Sequence, residues 1–158
     1  MDQPDRIDQA EVHLAATPEQ VFAAFADPAR VARWMPPEGM RAEVGCWQVV
    51  AGAPYRMALV YTGPDAPEGK AGGGRDEVKG LFVTVEPPHR VLQEAEFPSD
   101  DPANSGVMRL EWRFEPAGEG TMASVRASSV PRSIDPGDHR QALAQTLEQL
   151  GQAARPSH

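Results

Sequence analysis

The side chains best suited to acid–base or nucleophilic chemistry in this 158-residue chain are four histidines and a single cysteine. Histidine exchanges protons near neutral pH, and cysteine is a nucleophile once it is ionised. No combination of them with Asp or Glu has the spacing of metal ligands, so the sequence predicts neither a metal site nor a cofactor. The five residues are His13, His89, His139, His158 and Cys46.

His139 is the best candidate for proton transfer. It precedes Leu143 by one helical turn, so it faces the predicted sheet, where a neutral imidazole can act as a general base. Tyr55 and Gln93 are the other side chains that could help to move protons. The alternative interpretation, which the sequence favours, is a partly exposed histidine at a helix start. We therefore assign no catalytic residue and keep His139 as the candidate.

The other candidates for chemistry have simpler interpretations. Cys46 is predicted on the inward face of a strand, where a cysteine behaves as a small apolar residue. The run Gly72–Gly74 precedes no helix, so it does not resemble a phosphate-binding loop. Asp100 and Asp101 are interpreted as turn residues. The sequence thus favours a protein that is not an enzyme and leaves catalysis open.

Composition restricts the partners. The formal net charge is -8, and an acidic surface repels phosphate backbones, so nucleic acid is not expected. No apolar run approaches the roughly 18 residues of a membrane span, and the polar N-terminus lacks the apolar core of a signal peptide. One cysteine permits no intramolecular disulfide, so we expect a cytoplasmic protein. The length predicts one domain over residues 1–158, with its core at about 6–154.

Periodicity predicts an α+β fold. Alternating apolar and polar residues indicate a strand near residues 6–14 and about six more between residues 40 and 130. The capping residue Thr17 begins the first of two short helices, which end at Pro36. A long helix with one apolar stripe follows Asp135. The connections between strands are too short for helical crossovers, so the strands are predicted to be antiparallel neighbours.

This order predicts a cavity. About seven strands make a sheet roughly 30 Å wide, whereas one helix is about 10 Å wide and cannot cover it. The alternative is a solid core filled by large side chains. Trp34 and Met35 either close the mouth of the cavity or anchor a helix to the sheet. The predicted pocket residues are Trp34, Met40, Val44, Tyr55, Met57, Phe82, Phe97, Met108, Leu110, Trp112, Leu143 and Leu147.

Six segments carry a family resemblance that spans roughly residues 6–154. They are Thr17–Trp34, Tyr55–Met57, Val78–Phe82, Glu86–Arg90, Ser99–Pro102 and Pro136–Leu143. In their order and spacing they resemble the Activator of Hsp90 ATPase homologue-like branch of the START/Bet v 1 superfamily, also called SRPBCC. No single segment is specific by itself.

The resemblance implies a helix-grip fold, in which a curved antiparallel sheet wraps around a long C-terminal helix. Members of this superfamily bind lipids, sterols, polyketides and other apolar molecules, and some are cyclases or aromatase-like enzymes. We therefore expect a small hydrophobic ligand, with an enzyme on such a ligand or a protein-interaction module as alternatives. The co-chaperone that names the branch carries a further Hsp90-contacting domain, for which these 158 residues leave no room. A homodimer through an exposed strand or helix face is left open.

Overall fold

A computed structural model of the chain describes residues 6–36, 40–61, 75–97, 106–130 and 135–154. Seven strands and three helices lie in these ranges, in the predicted order. None of the helices is long and apolar enough to cross a membrane. The elements are β1 (Ile7–Leu14), α1 (Pro18–Ala26), α2 (Pro28–Trp34), β2 (Met40–Cys46), β3 (Pro54–Tyr61), β4 (Arg75–Glu86), β5 (Arg90–Phe97), β6 (Gly106–Ala117), β7 (Gly120–Ser128) and α3 (Pro136–Ala154).

The strands form a single curled antiparallel sheet in the order β1-β7-β6-β5-β4-β3-β2. Strands β2 to β7 are neighbours in sequence order, which confirms the prediction made from the short connections. The first strand joins the far side of the sheet by pairing with β7, with Ile7 opposite Ser128 and Leu14 opposite Thr121. With α3 lying against the sheet, this is the helix-grip α+β fold that the resemblance implies.

Hydrogen bonds cap all three helices at the start positions that the sequence predicts. The Thr17 hydroxyl accepts from the Gln20 backbone amide, and the Gln20 side chain accepts from the Thr17 amide, which completes a capping box. Asp27 caps α2 through the Ala29 amide. At α3, a carboxylate oxygen of Asp135 accepts from the Asp138 amide. These caps satisfy backbone donors that a helix leaves unpaired, so the boundaries follow from local chemistry.

An aromatic cluster fills the space between the two short helices and the sheet. Phe25 is fully buried and its ring lies 5.2–6.5 Å, centroid to centroid, from five others. The Trp34 indole is also buried and donates to the Ala24 carbonyl oxygen at 3.0 Å. This arrangement favours Trp34 as an anchor between helix and sheet. The rings around Phe25 are those of Trp34, Trp47, Phe82, Trp112 and Phe114.

The long helix covers one side of the concave face. Its close backbone approaches are to β1 and β7 of the sheet and to α1 and α2. Gly151 permits this, because a side chain there would strike Leu14 of β1. The Gln149 side chain donates to the carbonyl oxygens of Trp34 and Pro36, which ties α3 to the end of α2.

The prediction that Cys46 faces inward is wrong. Its side chain is exposed, and the register of β2 against β3 shifts between Val44 and Cys46. An extra residue, Gly45, moves Cys46 to the other face of the sheet. Strict alternation along the sequence could not reveal a bulge at this position.

Candidate functional site on the concave face of the sheet

The pairing of the strands places five residues in one row across the concave face. Asp8 lies opposite Ala127, which on its other side lies opposite Leu110. Leu110 in turn lies opposite Gln93, and Gln93 opposite Phe82. Neighbouring strands are about 4.8 Å apart, so Asp8 and Gln93 flank Leu110 at about 10 Å and 5 Å. The row joins β1 to β4 although its members are far apart in sequence.

Leu110 retains partial exposure in the middle of this row. Its cross-strand neighbours Ala127 and Gln93 are 0% and 2% exposed, and Met108 and Trp112 beside it on β6 are buried on the same face. Leu110 packs against the hydrophobic core, yet part of its apolar side chain stays exposed on this interior strand. The concave face therefore keeps an accessible apolar spot at Leu110, which is called the opening below.

On one side of Leu110, Asp8 and His139 form a buried hydrogen-bonded pair. His139 Nδ1 lies 2.7 Å from an Asp8 carboxylate oxygen, and the two side chains are 11% and 1% exposed. Because a carboxylate only accepts, Nδ1 carries the proton and donates. Nε2 of a neutral His139 is then an acceptor, as in a histidine oriented by an aspartate for general-base catalysis. His139 faces the sheet, as its spacing from Leu143 predicts.

Asp8 is held ionised by a second partner. Arg6 donates from Nε and Nη2 to the two carboxylate oxygens at 3.1 and 2.8 Å. Burial by itself raises the pKa of the Asp8 carboxyl, but the hydrogen bonds from Arg6 and His139 outweigh burial and lower the pKa below its ordinary value. Asp8 is therefore a carboxylate near neutral pH and accepts hydrogen bonds from both neighbours.

On the other side of Leu110, three side chains form a buried polar chain. Trp112 Nε1 donates to the Gln93 side-chain oxygen at 2.6 Å, and the Gln93 side chain hydrogen-bonds the Tyr55 phenol. The Tyr55 hydroxyl donates to the Glu94 carbonyl oxygen at 2.7 Å. Burial raises the pKa of Tyr55 above its ordinary value, against the effect of Gln93, so the phenol stays protonated. Tyr55 is thus a fixed donor, and His139 is the remaining candidate base.

The predicted pocket residues divide into three groups. Trp34, Phe82 and Trp112 lie in the aromatic cluster, and Leu147 is fully buried in the core. Phe97 ends β5, and its side chain lies outside the described part of the chain. The lining of a pocket by these twelve residues stays a prediction. The third group consists of the buried Tyr55, Met57, Met108 and Leu143 and the partly exposed Met40, Val44 and Leu110.

The remaining candidate residues do not join the row. His13 is exposed and lies 2.9 Å from the Ala117 carbonyl oxygen, and His89 contacts the Phe114 carbonyl oxygen at 3.2 Å. Among the described residues, no group of three or more His, Cys, Asp or Glu side chains could hold a metal ion. His158, Gly72–Gly74 and Asp100–Asp101 lie outside the described residues.

A groove of about 520 Å³ lies on the opposite, convex face. Its walls include both cations and anions, among them Arg56, Lys79 and Glu96, together with the exposed Leu81 and Cys46. These side chains point away from the aromatic cluster and α3. The groove is therefore distinct from the predicted cavity.

A family model described as Activator of Hsp90 ATPase homolog 1-like protein matches residues 15–155, almost the whole described fold. The chain belongs to this family. No curated protein sequence is similar enough to match. The family model covers α3 and most of the sheet, so the row across the concave face lies largely within the matched region.

Solved structures share the same fold. A protein of Chromobacterium violaceum has 26% identity and a TM-score of 0.81, with 96% of this chain and 98% of that one covered. An AHSA1-like protein of Aeromonas hydrophila has 17% identity and a TM-score of 0.72, covering 97% and 98%. DynU16, from the dynemicin biosynthetic locus, has 20% identity and a TM-score of 0.66, covering 94% of this chain and 47% of that one.

Asp8 is the site residue that the sequence analysis missed. It shares the inward face of β1 with Ala10, Val12 and Leu14, and a lone Asp at the start of such a strand is an ordinary end-of-strand residue. The signal that could have found it is the alternation itself, which places an acid on an otherwise apolar face. A buried acid requires partners, and Arg6 and His139 supply them.

Proposed function

We propose that this family member binds a small hydrophobic molecule, lipid-, polyketide- or aromatic-like, between the concave face of the sheet and α3. The observation that carries the proposal is the accessibility of Leu110 on an interior strand whose neighbouring inward side chains are buried. Apolar surface kept open inside a fold costs stability unless a ligand covers it. The position of α3 over β1 and β7 supports a ligand located between the helix and the remaining strands.

The polar groups beside the opening favour a ligand with one polar end. Binding sites are mostly apolar and carry a few polar groups that orient the ligand. Trp112, Gln93 and Tyr55 already use their hydrogen bonds among themselves and the backbone. Nε2 of a neutral His139, whose partner Asp8 lies two strands from Leu110, can accept a hydrogen bond, so a hydroxyl or phenol on the ligand suits this end of the site.

Replacing Leu110 with tryptophan tests the site directly. The larger ring fills the opening above β6, so we expect binding of a neutral naphthylamine fluorescent probe to weaken by about tenfold or more. Native mass spectrometry of freshly purified protein gives the companion readout: a mass addition present in the wild type should be lost in Leu110→Trp.

The matched control is Val107→Trp on the same strand. Val107 is 45% exposed on the convex face, so the new ring should leave probe binding unchanged. Equal probe affinity in Leu110→Trp and the wild type, with both proteins folded by circular dichroism, would refute a ligand site at Leu110. Failure of the wild type to bind the probe or retain any small molecule would also contradict the proposal.

A second candidate function is an enzyme acting on the same kind of ligand. The Asp8–His139 hydrogen bond favours it, because it fixes the imidazole on the concave side of the sheet with Nε2 left to accept a proton. His139 would remove or deliver a proton, and Asp8 would act on the reaction through His139 as a positioning residue. The apolar surroundings and the protonated Tyr55 leave His139 as the base.

The molecule that copurifies with a His139→Gln variant distinguishes the two functions. Glutamine keeps a side-chain amide near Asp8 but cannot act as a base at neutral pH. If His139 is catalytic, the wild type should retain product or nothing, and the variant should retain a different, unreacted molecule of distinct mass. The same retained mass in both proteins would exclude proton transfer by His139 and leave ligand binding in place.

A further inference from the structure

Strand β2 is an edge strand, and among the described residues no strand pairs with its outer side, although α2 lies close to it. It ends the strand order opposite β1, and none of its seven residues is buried. The other edge, β1, lies in close contact with α3, and its Asp8 and Leu14 are buried. An edge strand exposes a row of backbone N–H and C=O groups that can pair with another strand.

The side chains of this edge are self-complementary. Arg41 and Glu43 point to the convex face, and Arg41 Nη1 donates to a Glu43 carboxylate oxygen at 2.7 Å. Met40, Ala42 and Val44 alternate with them on the concave face and are partly exposed. The small residue Ala42 is therefore the centre of the segment. Arg41 and Glu43, with opposite charges, lie one residue to either side of it, and the apolar Met40 and Val44 lie two residues to either side.

We propose that β2 pairs antiparallel with β2 of a second copy of this chain, about a twofold axis at Ala42. Arg41 then lies opposite Glu43 of the partner subunit, and Glu43 lies opposite Arg41 of the partner subunit. Opposite charges directly across an antiparallel pair stabilise it, whereas like charges destabilise it. An edge of uniform sign would repel a second copy, and this edge attracts one.

The twofold axis also suits the apolar side. An axis perpendicular to the sheet keeps the concave faces of both copies on one side, so Met40 lies opposite Val44 of the partner subunit. The pairing adds neighbours to side chains that the single chain leaves partly exposed. It is an isologous interface, in which both copies use the same surface.

The bulge between Val44 and Cys46 limits the length of this interface. Regular pairing is confined to the five residues centred on Ala42, because a bulge disrupts the ladder. So short a strand pair buries less than the roughly 1,200 Å² typical of stable complexes, so we expect a weak dimer that forms at high protein concentration.

Charge reversal and charge exchange test the proposal by sedimentation velocity over a range of protein concentrations. The wild type should approach twice the chain mass of 17.1 kDa as concentration rises. Arg41→Glu places two acidic side chains opposite each other at both ends of the pair, and Glu43→Arg places two basic ones there. Each single variant should stay monomeric, and the exchanged variant Arg41→Glu/Glu43→Arg should dimerise again.

The control is Arg126→Glu, an equal change of charge on the exposed convex face of β7, five strands away from β2. It should dimerise like the wild type, and circular dichroism confirms the fold of every variant. A wild type that stays monomeric at all concentrations overturns the proposal. So does a dimer that both single variants retain, or a failure of the exchanged variant to restore association.

Discussion

Replacing Asp8 with asparagine should lower the free energy of unfolding at pH 7 by about 3 kcal/mol, because it removes the buried carboxylate from a hydrogen-bonded ionic cluster. The Asp8 carboxylate is 1% exposed and accepts from both Arg6 and His139. Asparagine preserves the shape but carries no charge, so the ionic hydrogen bonds that Arg6 and His139 donate to this carboxylate are lost. Urea unfolding of both proteins gives the difference directly.

The same variant should change how stability depends on pH. The pKa of Asp8 in the folded state is below its ordinary value. The contribution of the Asp8 carboxylate to stability is therefore fully present above the unfolded-state carboxyl pKa of about 4. That contribution to stability is lost as the pH falls through the lower pKa that Asp8 has in the folded state. The difference in the free energy of unfolding between wild type and Asp8→Asn should therefore be present at pH 7 and should narrow below about pH 4.

Glu115→Gln provides the control for a generic loss of negative charge. Glu115 is 63% exposed and lies 3.9 Å from Arg113, and exposed pairs of this kind contribute less than about 1 kcal/mol. If Asp8→Asn were no more destabilising than Glu115→Gln, the buried pair would not be a stabilising feature. If the difference in the free energy of unfolding between wild type and Asp8→Asn did not narrow in acid, Asp8 would not be a carboxylate in the folded protein.

The sequence predicted the elements well because their signals are local. Strand alternation, the Thr17 capping box and the Asp135 cap each depend on residues within one or two turns. The short connections also determine that β2 to β7 are neighbours, since antiparallel strands joined by short loops must lie side by side. The resemblance to the family supplied the placement of β1 and α3 as a whole.

The site was less accessible to prediction because its contacts are long-range. Asp8 and His139 are 131 residues apart, and they meet only because β1 pairs with β7 and α3 returns over β1. His139 could be placed toward the sheet from its helical spacing, but no local pattern indicates its partner. The accessibility of Leu110 likewise depends on where α3 lies, which side-chain periodicity does not determine.

Replacing Phe25 with alanine should be the most destabilising change in the packed half of the concave face. Phe25 is 0% exposed and its ring contacts five aromatic neighbours on α2, the sheet and the segment after β2. Removing a buried phenylalanine ring costs about 3–5 kcal/mol, because the lost burial is added to the cavity left behind. For a chain of this length we expect the melting temperature to fall by about 10 °C or more. Phe22→Ala on the same helix, where the ring is only partly buried, should cost clearly less.

The cavity in Phe25→Ala also distinguishes the packed region from the proposed ligand site. An engineered apolar cavity stays dry and binds benzene-sized molecules. Benzene should therefore raise the melting temperature of Phe25→Ala more than that of the wild type, because it binds only the folded state. If ligands instead enter the native fold beside Phe25, the wild type should respond equally to benzene, and Leu110→Trp should leave that response unchanged. A larger response of the variant would mean that the aromatic cluster around Phe25 is solid in the native protein, so that a ligand of the native fold must bind elsewhere on the concave face.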